Sequence, residues 1–309
     1  MTNPISIAIV GLGKIARDQH VPSLAASDAF TLVATASPHN ALEHVPSFPD
    51  IGSLLDARPD VAAVALCTTP QVRFGIARQA LAHGCHVLLE KPPGATLSEV
   101  RELVALAADS GVTLLASWHS RHANGVEPAR EWLSTRRIVR VSVSWKEDVR
   151  KWHPGQTWIW KAGGLGVFDP GINALSILTR ILPGTLVVQS AILSFPSNCE
   201  CPIAATLELS DMRGAPIHME LDFRQSGAES WDIEVETDDG HLKLSKGASV
   251  LHIDRQAVAV RQATEYSRLY AQFAELIRAK TSDTDLSPLM LVADAFLTGQ
   301  RIGVEAFHE

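Results

Sequence analysis

The chain has 309 residues, which at about 150 per domain suggests two domains, and its 46% hydrophobic, 20% charged composition is ordinary for a globular protein. Disordered, collagen-like and mini-protein architectures are excluded, and a chain of this length buries enough surface to hold a core without disulfides or metal. The 27 basic and 34 acidic side chains leave a net charge of −7 spread along the chain, so no nucleic-acid footprint is present.

The N-terminal MTNPISIAIVGLG has no basic region and no small-residue cleavage site, and it reads as a first strand rather than a signal peptide. No apolar run approaches the ~20 residues of a membrane span, so neither a membrane partner nor a nucleic-acid partner is expected. Cys67, Cys85, Cys199 and Cys201 lack the paired spacing of a zinc site and are too few for a disulfide scaffold. They read as reduced thiols in a cytoplasmic protein, with no metal. Seven Trp stand against two Tyr, and every Trp lies at or after Trp118, a bias toward the second half.

Strand-length apolar runs occur at Ile5 to Val10, Thr31 to Ala36, Val61 to Cys67, His86 to Glu90 and Thr113 to Ser117. Amphipathic helical stretches lie between them at Lys14 to Ala26, Val72 to His83 and Ser98 to Ser110. Ser98 has the look of an N-cap, and Gly84 and Gly111 sit where glycines close helices. Continuous apolar strands alternating with helices predict a doubly wound, parallel α/β domain. After Trp118 the texture changes. One helix is expected at about Val126 to Thr135. Alternating strands follow at Val139 to Lys146, Leu186 to Phe195, Ala204 to Ser210, Ile217 to Arg224, Trp231 to Thr237 and Leu242 to Ser245. Asp238-Asp239-Gly240 marks a hairpin. Further helices are expected at Pro170 to Ile181, Tyr266 to Lys280 and Pro288 to Arg301. The prediction is a dinucleotide-binding domain over 1–119, then an α+β domain with a large, mostly antiparallel, open-faced sheet over 120–309 for substrate binding and oligomerisation.

The first strand runs into Gly11-Leu12-Gly13-Lys14-Ile15-Ala16, a G-x-G-x-x-A fingerprint between a strand and a helix. Gly11 permits the tight turn, Gly13 lets backbone approach a pyrophosphate, and the helix start at Lys14 and Ile15 offers free N–H groups to phosphate. NAD sites usually place a carboxylate at the end of the second strand. Here that strand ends in Ala36-Ser37-Pro38-His39-Asn40, with no acid before Glu43. Ser37 and His39 could donate to a 2′-phosphate, so NADP or NAD, or both, fit. Cys67 and Thr68 end the third run and are expected to touch the cofactor through backbone groups.

Gly11-Leu12-Gly13, His86-Val87-Leu88-Leu89-Glu90-Lys91-Pro92, Gly163-Gly164 and Asp169-Pro170-Gly171-Ile172-Asn173 together resemble the Gfo/Idh/MocA oxidoreductases. The longer strings LEKPPGATLSE, WKEDVR-W-HPGQ-WIW and GGLGVFDPGINALSI look more narrowly like the bacterial aldose 1-dehydrogenases acting on L-arabinose and D-galactose. The resemblance covers nearly the whole chain. It implies NAD(P)-dependent oxidation of an aldopyranose at its anomeric carbon to the aldonolactone. A homo-oligomer, most simply a dimer, would associate through the open sheet face.

That chemistry needs a proton acceptor near the anomeric oxygen and donors that hold the sugar. Lys91 lies at the carboxyl end of a parallel strand, where ligands of open α/β sheets sit, with Glu90 beside the cofactor. A solvated loop lysine is the bland alternative. Asp169 could equally be the N-cap of a helix with Pro170 at its first position. The family motif D-x-G-x-H matches Asp169 and Gly171, but Asn173 stands where many members carry a His, and Asn does not transfer protons. The resemblance therefore assigns proton transfer to Lys91 and Asp169, with Asn173, at i+4 on the same face, as a donor. It also favours Trp152 and Trp231 as pyranose-contacting aromatics and places His119 near the nicotinamide, although Trp is commonly a core residue and a lone His commonly structural. Two other readings remain, a non-catalytic sugar sensor on the same scaffold and an inositol-type dehydrogenase. Retained Lys91 and Asp169 count against the first, and Asn173 against the second.

Overall fold

Short strands with no polar face need cover on both sides, and the first sheet is built that way. The computed structural model describes residues 3–308. Six strands, β1 (Ile5–Val10), β2 (Phe30–Ala36), β3 (Ser47–Phe48), β4 (Ala63–Leu66), β5 (His86–Leu89) and β6 (Leu114–Ala116), lie in the order β3-β2-β1-β4-β5-β6. Every pairing is parallel. This is the doubly wound order of dinucleotide-binding folds, whose ligand crevice opens at the carboxyl ends of the central strands.

Successive residues of β1 face opposite ways. Ala8 and Val10 pack with Leu66, Leu81, Leu89 and Leu103, on the side of helices Pro70–Ala82 and Leu97–Asp109. Ile7 and Ile9 pack with Ala65 and Leu88 against Leu269, Tyr270 and Phe273 of helix Glu265–Ala279. That helix buries Tyr266, Leu269, Tyr270, Phe273 and Ala274, one continuous stripe at helical spacing. The chain accordingly divides into two compact units, one holding the residues up to His119 with Thr264–Leu286, the other Ser120–Ala263 with the chain from Ser287 onward. The helix placed in the second half by chain order thus closes the first sheet. Trp118 also belongs to the first unit, its indole N–H donating to the Asp285 carbonyl at 2.8 Å.

Several local expectations shift. The first helix contains a π-helical turn at Ala16–His20 before Val21–Ala25. Helix Leu97–Asp109 is capped by Thr96, not Ser98: the Thr96 hydroxyl accepts from the Glu99 amide and Glu99 reaches back, a reciprocal capping box. A further helix, Ile51–Ala57, has its start fixed by the Asp50 side chain, which accepts from the Ser53 amide. Gly84 and Gly111 do take the left-handed conformation, with φ of +77° and +66°.

The second sheet has nine strands: β7 (Ile138–Lys146), β8 (Leu186–Pro196), β9 (Ala204–Asp211), β10 (Pro216–Asp222), β11 (Ser230–Thr237), β12 (Gly240–Ser245), β13 (Val250–Ile253), β14 (Gln256–Val258) and β15 (Gln300–Val304). Their order is β14-β13-β12-β11-β7-β10-β9-β8-β15, antiparallel except where β10 meets β7 and β15 meets β8. The last expected helix stops at Thr298 and gives way to β15. Alternate residues Val141, Val143 and Trp145 of β7 and Ile217, Met219 and Leu221 of β10 are buried under helices Val126–Leu133, Phe168–Ile181 and Ser287–Thr298. The opposite face carries Lys146, Glu208, His218 and Glu220, paired across strands. Among the described residues no helix is long and apolar enough to cross a membrane.

Candidate active site

In the first unit the carboxyl ends of β1, β4 and β5 are drawn together. The Cys67 amide donates to the Val10 carbonyl at 2.8 Å. Gly11 has φ of +92°, and a Cβ there would lie 2.8 Å from the Thr68 nitrogen, so only glycine permits this approach. A Cβ on Gly13 would meet nothing within 4 Å, which leaves the start of the helix open. Thr68 Oγ1, alongside, is buried without a hydrogen-bond partner among the described residues. Open space at a helix start plus an orphaned hydroxyl fit a dinucleotide pyrophosphate. Lys14 at the helix start pairs with Asp18, and Ile15 is half-buried. At the end of β2, Ser37 donates its amide to the Phe48 carbonyl at 2.9 Å and His39 is exposed. Arg17, absent from the sequence-derived candidates, reaches this segment and donates to the Ala41 carbonyl at 3.1 Å.

Lys91 follows β5 directly. Its amide donates to Glu90 Oε2 at 2.7 Å. The Glu90 carboxylate, expected beside the cofactor, instead points inward and is only 3% exposed. Its Oε1 accepts from the Tyr266 hydroxyl at 2.6 Å and lies 3.1 Å from His20 Nε2. His20 Nδ1 is 2.7 Å from the Tyr270 hydroxyl. Burial opposes charge on Glu90, but the hydrogen bond and charge of His20, with His119 and Tyr266, hold its carboxyl well below the usual range. Burial likewise opposes charge on His20, yet Cys67, Tyr270 and Glu90 raise it well above an ordinary imidazole. Burial pushes the Tyr270 phenol up to about 12. His119 Nδ1 lies 2.6 Å from Glu265 Oε2, and its ring stacks on Tyr266 at 5.2 Å.

In the second unit a separate cluster forms where β7 ends. The Glu147 amide continues the ladder to the Asp222 carbonyl, and Asp148 then caps the short helix Val149–Trp152 by accepting from the Arg150 amide at 3.0 Å. That turn delivers His153, whose Nε2 lies 3.3 Å from Glu147 Oε1. Glu147, buried, accepts from the Trp231 indole N–H at 2.8 Å. Trp231 meets Trp152 edge to face at 5.4 Å, and Trp152, 39% exposed, donates to Glu229 at 2.7 Å. Trp160 packs on Phe223 and Phe307.

Helix Phe168–Ile181 begins one residue before Asp169, and its start has no side-chain cap, so the N-cap alternative for Asp169 does not hold. Gly171 lets this helix approach β10: a Cβ there would sit 2.5 Å from Leu221 Cδ1. The Asp169 carboxylate is buried, with Oδ2 3.8 Å from His153 Nδ1. Asn173 follows one turn later, half-buried. Asp169, Trp152 and Trp231 are thus linked through two residues the sequence reading did not single out, His153 and Glu147. Both lie in the string WKEDVR-W-HPGQ-WIW quoted above, and beyond that their signal is position: an acid directly after a strand, and a histidine just past the next turn. His153 Nδ1 is buried without a hydrogen bond among the described residues, because 3.8 Å is beyond hydrogen-bond range. The His153 ring thus lies between two carboxylates, Nε2 toward Glu147 and Nδ1 toward Asp169.

Residues 5–117 match the model of an oxidoreductase family with an NAD-binding Rossmann fold, Gfo/Idh/MocA. A galactose 1-dehydrogenase of Pseudomonas fluorescens is 48% identical over 306 residues, covering 99% of each chain. The crystal structure of a D-galactose-1-dehydrogenase protein from Rhizobium etli superposes with a TM-score of 0.95 at 55% identity, covering 100% of this chain and 99% of that one. A 3-ketoreductase from Actinomadura kijaniata, solved with NADP and TDP-benzene, shares the fold at 19% identity and a TM-score of 0.84, covering 98% of this chain and 100% of that one. With near-complete coverage by a relative of this identity, on a sheet of dinucleotide-binding order, the chain belongs to the Gfo/Idh/MocA oxidoreductases.

Proposed function

We propose that the protein is an NAD(P)-dependent aldose 1-dehydrogenase that oxidises D-galactose, and L-arabinose with it, to the aldonolactone. The observation that carries the reading is the buried Asp169 carboxylate facing the unpartnered Nδ1 of His153 across 3.8 Å, beside an edge-to-face Trp pair. A sugar hydroxyl entering there meets one carboxylate and one imidazole nitrogen, with indole for the pyranose. The similarity to the galactose 1-dehydrogenase supports D-galactose. The two sugars differ only at the exocyclic hydroxymethyl, a corner whose contacts are worth about 1–3 kcal/mol.

When bound, the nicotinamide supplies the acceptor for the hydride leaving the anomeric carbon. The chain's own groups handle the proton: Asp169, with Lys91, takes it from the anomeric hydroxyl as the carbonyl of the lactone forms. Asn173 donates to a sugar hydroxyl, and His153, oriented by Glu147, hydrogen-bonds another. Trp152 and Trp231 hold the ring, and His119 stands by the nicotinamide. Gly11, Gly13, Lys14, Ile15, Cys67 and Thr68 hold the dinucleotide. For its 2′ position, Ser37, His39 and Arg17 with no carboxylate before Glu43 favour NADP, with NAD also accepted.

A homo-oligomer, most simply a dimer, is expected through the open face of the second sheet. There Ile192 and Ile302 are 44% and 40% exposed beside a shallow cavity of about 180 Å³ lined by Lys146, Thr206, Glu220 and Asp222. Light scattering tests this. Four unpaired thiols suit the reducing cytoplasm. The function itself is tested by initial rates of nicotinamide reduction over a panel of D-galactose, L-arabinose, D-glucose and an inositol with each cofactor. Turnover led by D-galactose and L-arabinose is expected. Cofactor binding without turnover of any aldopyranose would refute the enzyme.

A further inference from the structure

The peptide groups around Lys91 are held by buried charged side chains on both sides. Arg73, in helix Pro70–Ala82, is 2% exposed. Its Nη1 donates to the carbonyls of both Glu90 and Pro92, and its Nη2 donates to the carbonyl of Thr68, beside the glycine turn. From the other side Glu90 Oε2 takes the Lys91 amide at 2.7 Å. Glu90 is in turn fixed by Tyr266 and His20, and His20 by Tyr270. The helix that starts at the glycine turn, the helix after β4 and the helix that closes the sheet therefore converge on one lysine.

We infer that Arg73, Glu90, His20 and Tyr266 are positioning residues for Lys91, clamping its main chain so that the side chain leaves the end of β5 in one direction. Stability alone is a poor reason for this arrangement. Buried ionic groups do no better than apolar ones of the same volume, whereas here each ends on a peptide group of residues 90–92 or on a side chain that does. The Glu90 carboxylate is buried against His20 and Tyr266, and its effect on the reaction passes through Lys91. The inference rests on the reading of Lys91 as a proton-transfer residue, and the test separates the two.

Glu90→Gln and the milder Tyr266→Phe, which keeps the ring and removes one donor, are compared with Lys91→Met. In cofactor-free protein, amide hydrogen exchange at Glu90 and Lys91 should rise roughly tenfold in both clamp variants, without a matching rise in the second sheet. Turnover should fall about ten- to a hundredfold while the KM for D-galactose and the Kd for cofactor stay within about threefold, as for a misplaced catalytic group. Added to Lys91→Met, either change should lower the residual rate no further, because the group being positioned is gone. Unchanged exchange in Tyr266→Phe, or an equal rate loss with and without Lys91, overturns the clamp. Near-normal turnover of Lys91→Met overturns the proton-transfer reading instead, and the exchange measurement then decides the clamp by itself.

Discussion

The two units use the same trio of side chains in different ways. Glu90 and Glu147 each follow the end of a strand, each faces a histidine nitrogen at 3.1 and 3.3 Å, and each accepts from an aromatic O–H or N–H at 2.6 and 2.8 Å. In the first unit the histidine is wholly buried and both its nitrogens are engaged. In the second it is 16% exposed and Nδ1 is unpartnered. A closed set fixes what it touches. An open set keeps one ring nitrogen for a ligand, at the cost of a buried polar atom without a hydrogen bond.

If the open set is where the sugar reacts, the largest single effect belongs to Asp169. Asp169→Asn keeps the shape and removes the proton acceptor, and turnover should fall about 10²–10⁴-fold with the melting temperature unchanged or raised. Steady-state rates with D-galactose measure it. A loss under tenfold would move the chemistry elsewhere and leave the two trios without distinct roles.

The contrast sharpens when the two glutamates are changed alike. Glu90→Gln leaves an imidazolium buried without its carboxylate and should destabilise by about 3–5 kcal/mol in urea titrations. Glu147→Gln, which keeps an acceptor for the Trp231 indole beside a histidine with some access to water, should cost less, about 1–3 kcal/mol, yet raise the sugar KM several-fold as His153 loses its orientation. The reverse ranking would break the comparison.

The closed trio also has a pH signature. The His20 imidazole is raised above its ordinary 6.5, so its contribution to stability is complete below 6.5 and is lost as pH rises through the higher folded value. The Glu90 carboxyl is lowered below its ordinary 4.5, so its contribution is complete above 4.5 and is lost as pH falls through the folded value. The stability gap between the wild type and His20→Gln should therefore be widest between about 4.5 and 6.5 and shrink as pH is taken well past 6.5. Urea titrations at stepped pH read it; a gap that widens with alkalinity would mean that His20 is neutral.

Much of the first unit was legible because its signals are local. Ile5 to Val10 followed by Gly11 and Gly13 names a strand, a turn and a helix start within a dozen residues. The stripe from Tyr266 to Phe273 was equally legible as a buried helix face, but periodicity says only that a face is buried, not which sheet buries it. That one ambiguity misassigned the helix and hid the direction of Glu90. Leu88 faces the side covered by helix Glu265–Ala279, and Glu90, two residues on, points the same way. In the second unit, Asp169 and Asn173 were named by the resemblance to the family motif, and their helical spacing added only that they share a face. His153 and Glu147 were not singled out, because their contact depends on how β7 runs past its last paired residue into a four-residue helix. Strands β13 to β15 are short and largely unburied, with too little alternation to read.

The smallest expected effect tests the rim of the open trio. Trp152→Phe keeps an aromatic face against Trp231 but loses the indole N–H that Glu229 accepts at 2.7 Å. Glu229 also pairs with Lys151 at 2.8 Å, and burial notwithstanding, that contact and the indole hold its carboxyl below the usual range. Losing this one of three partners, with Lys151 and the Asp148 amide left on Glu229, should change stability by under about 1 kcal/mol. The ring, however, is set in place by that bond, so a looser Phe should raise the KM for D-galactose about two- to fivefold with turnover nearly constant, the mark of binding lost equally from ground and transition states. An unchanged KM would remove Trp152 from the sugar's surroundings and leave Trp231, held by Glu147 within the trio, as the pyranose face.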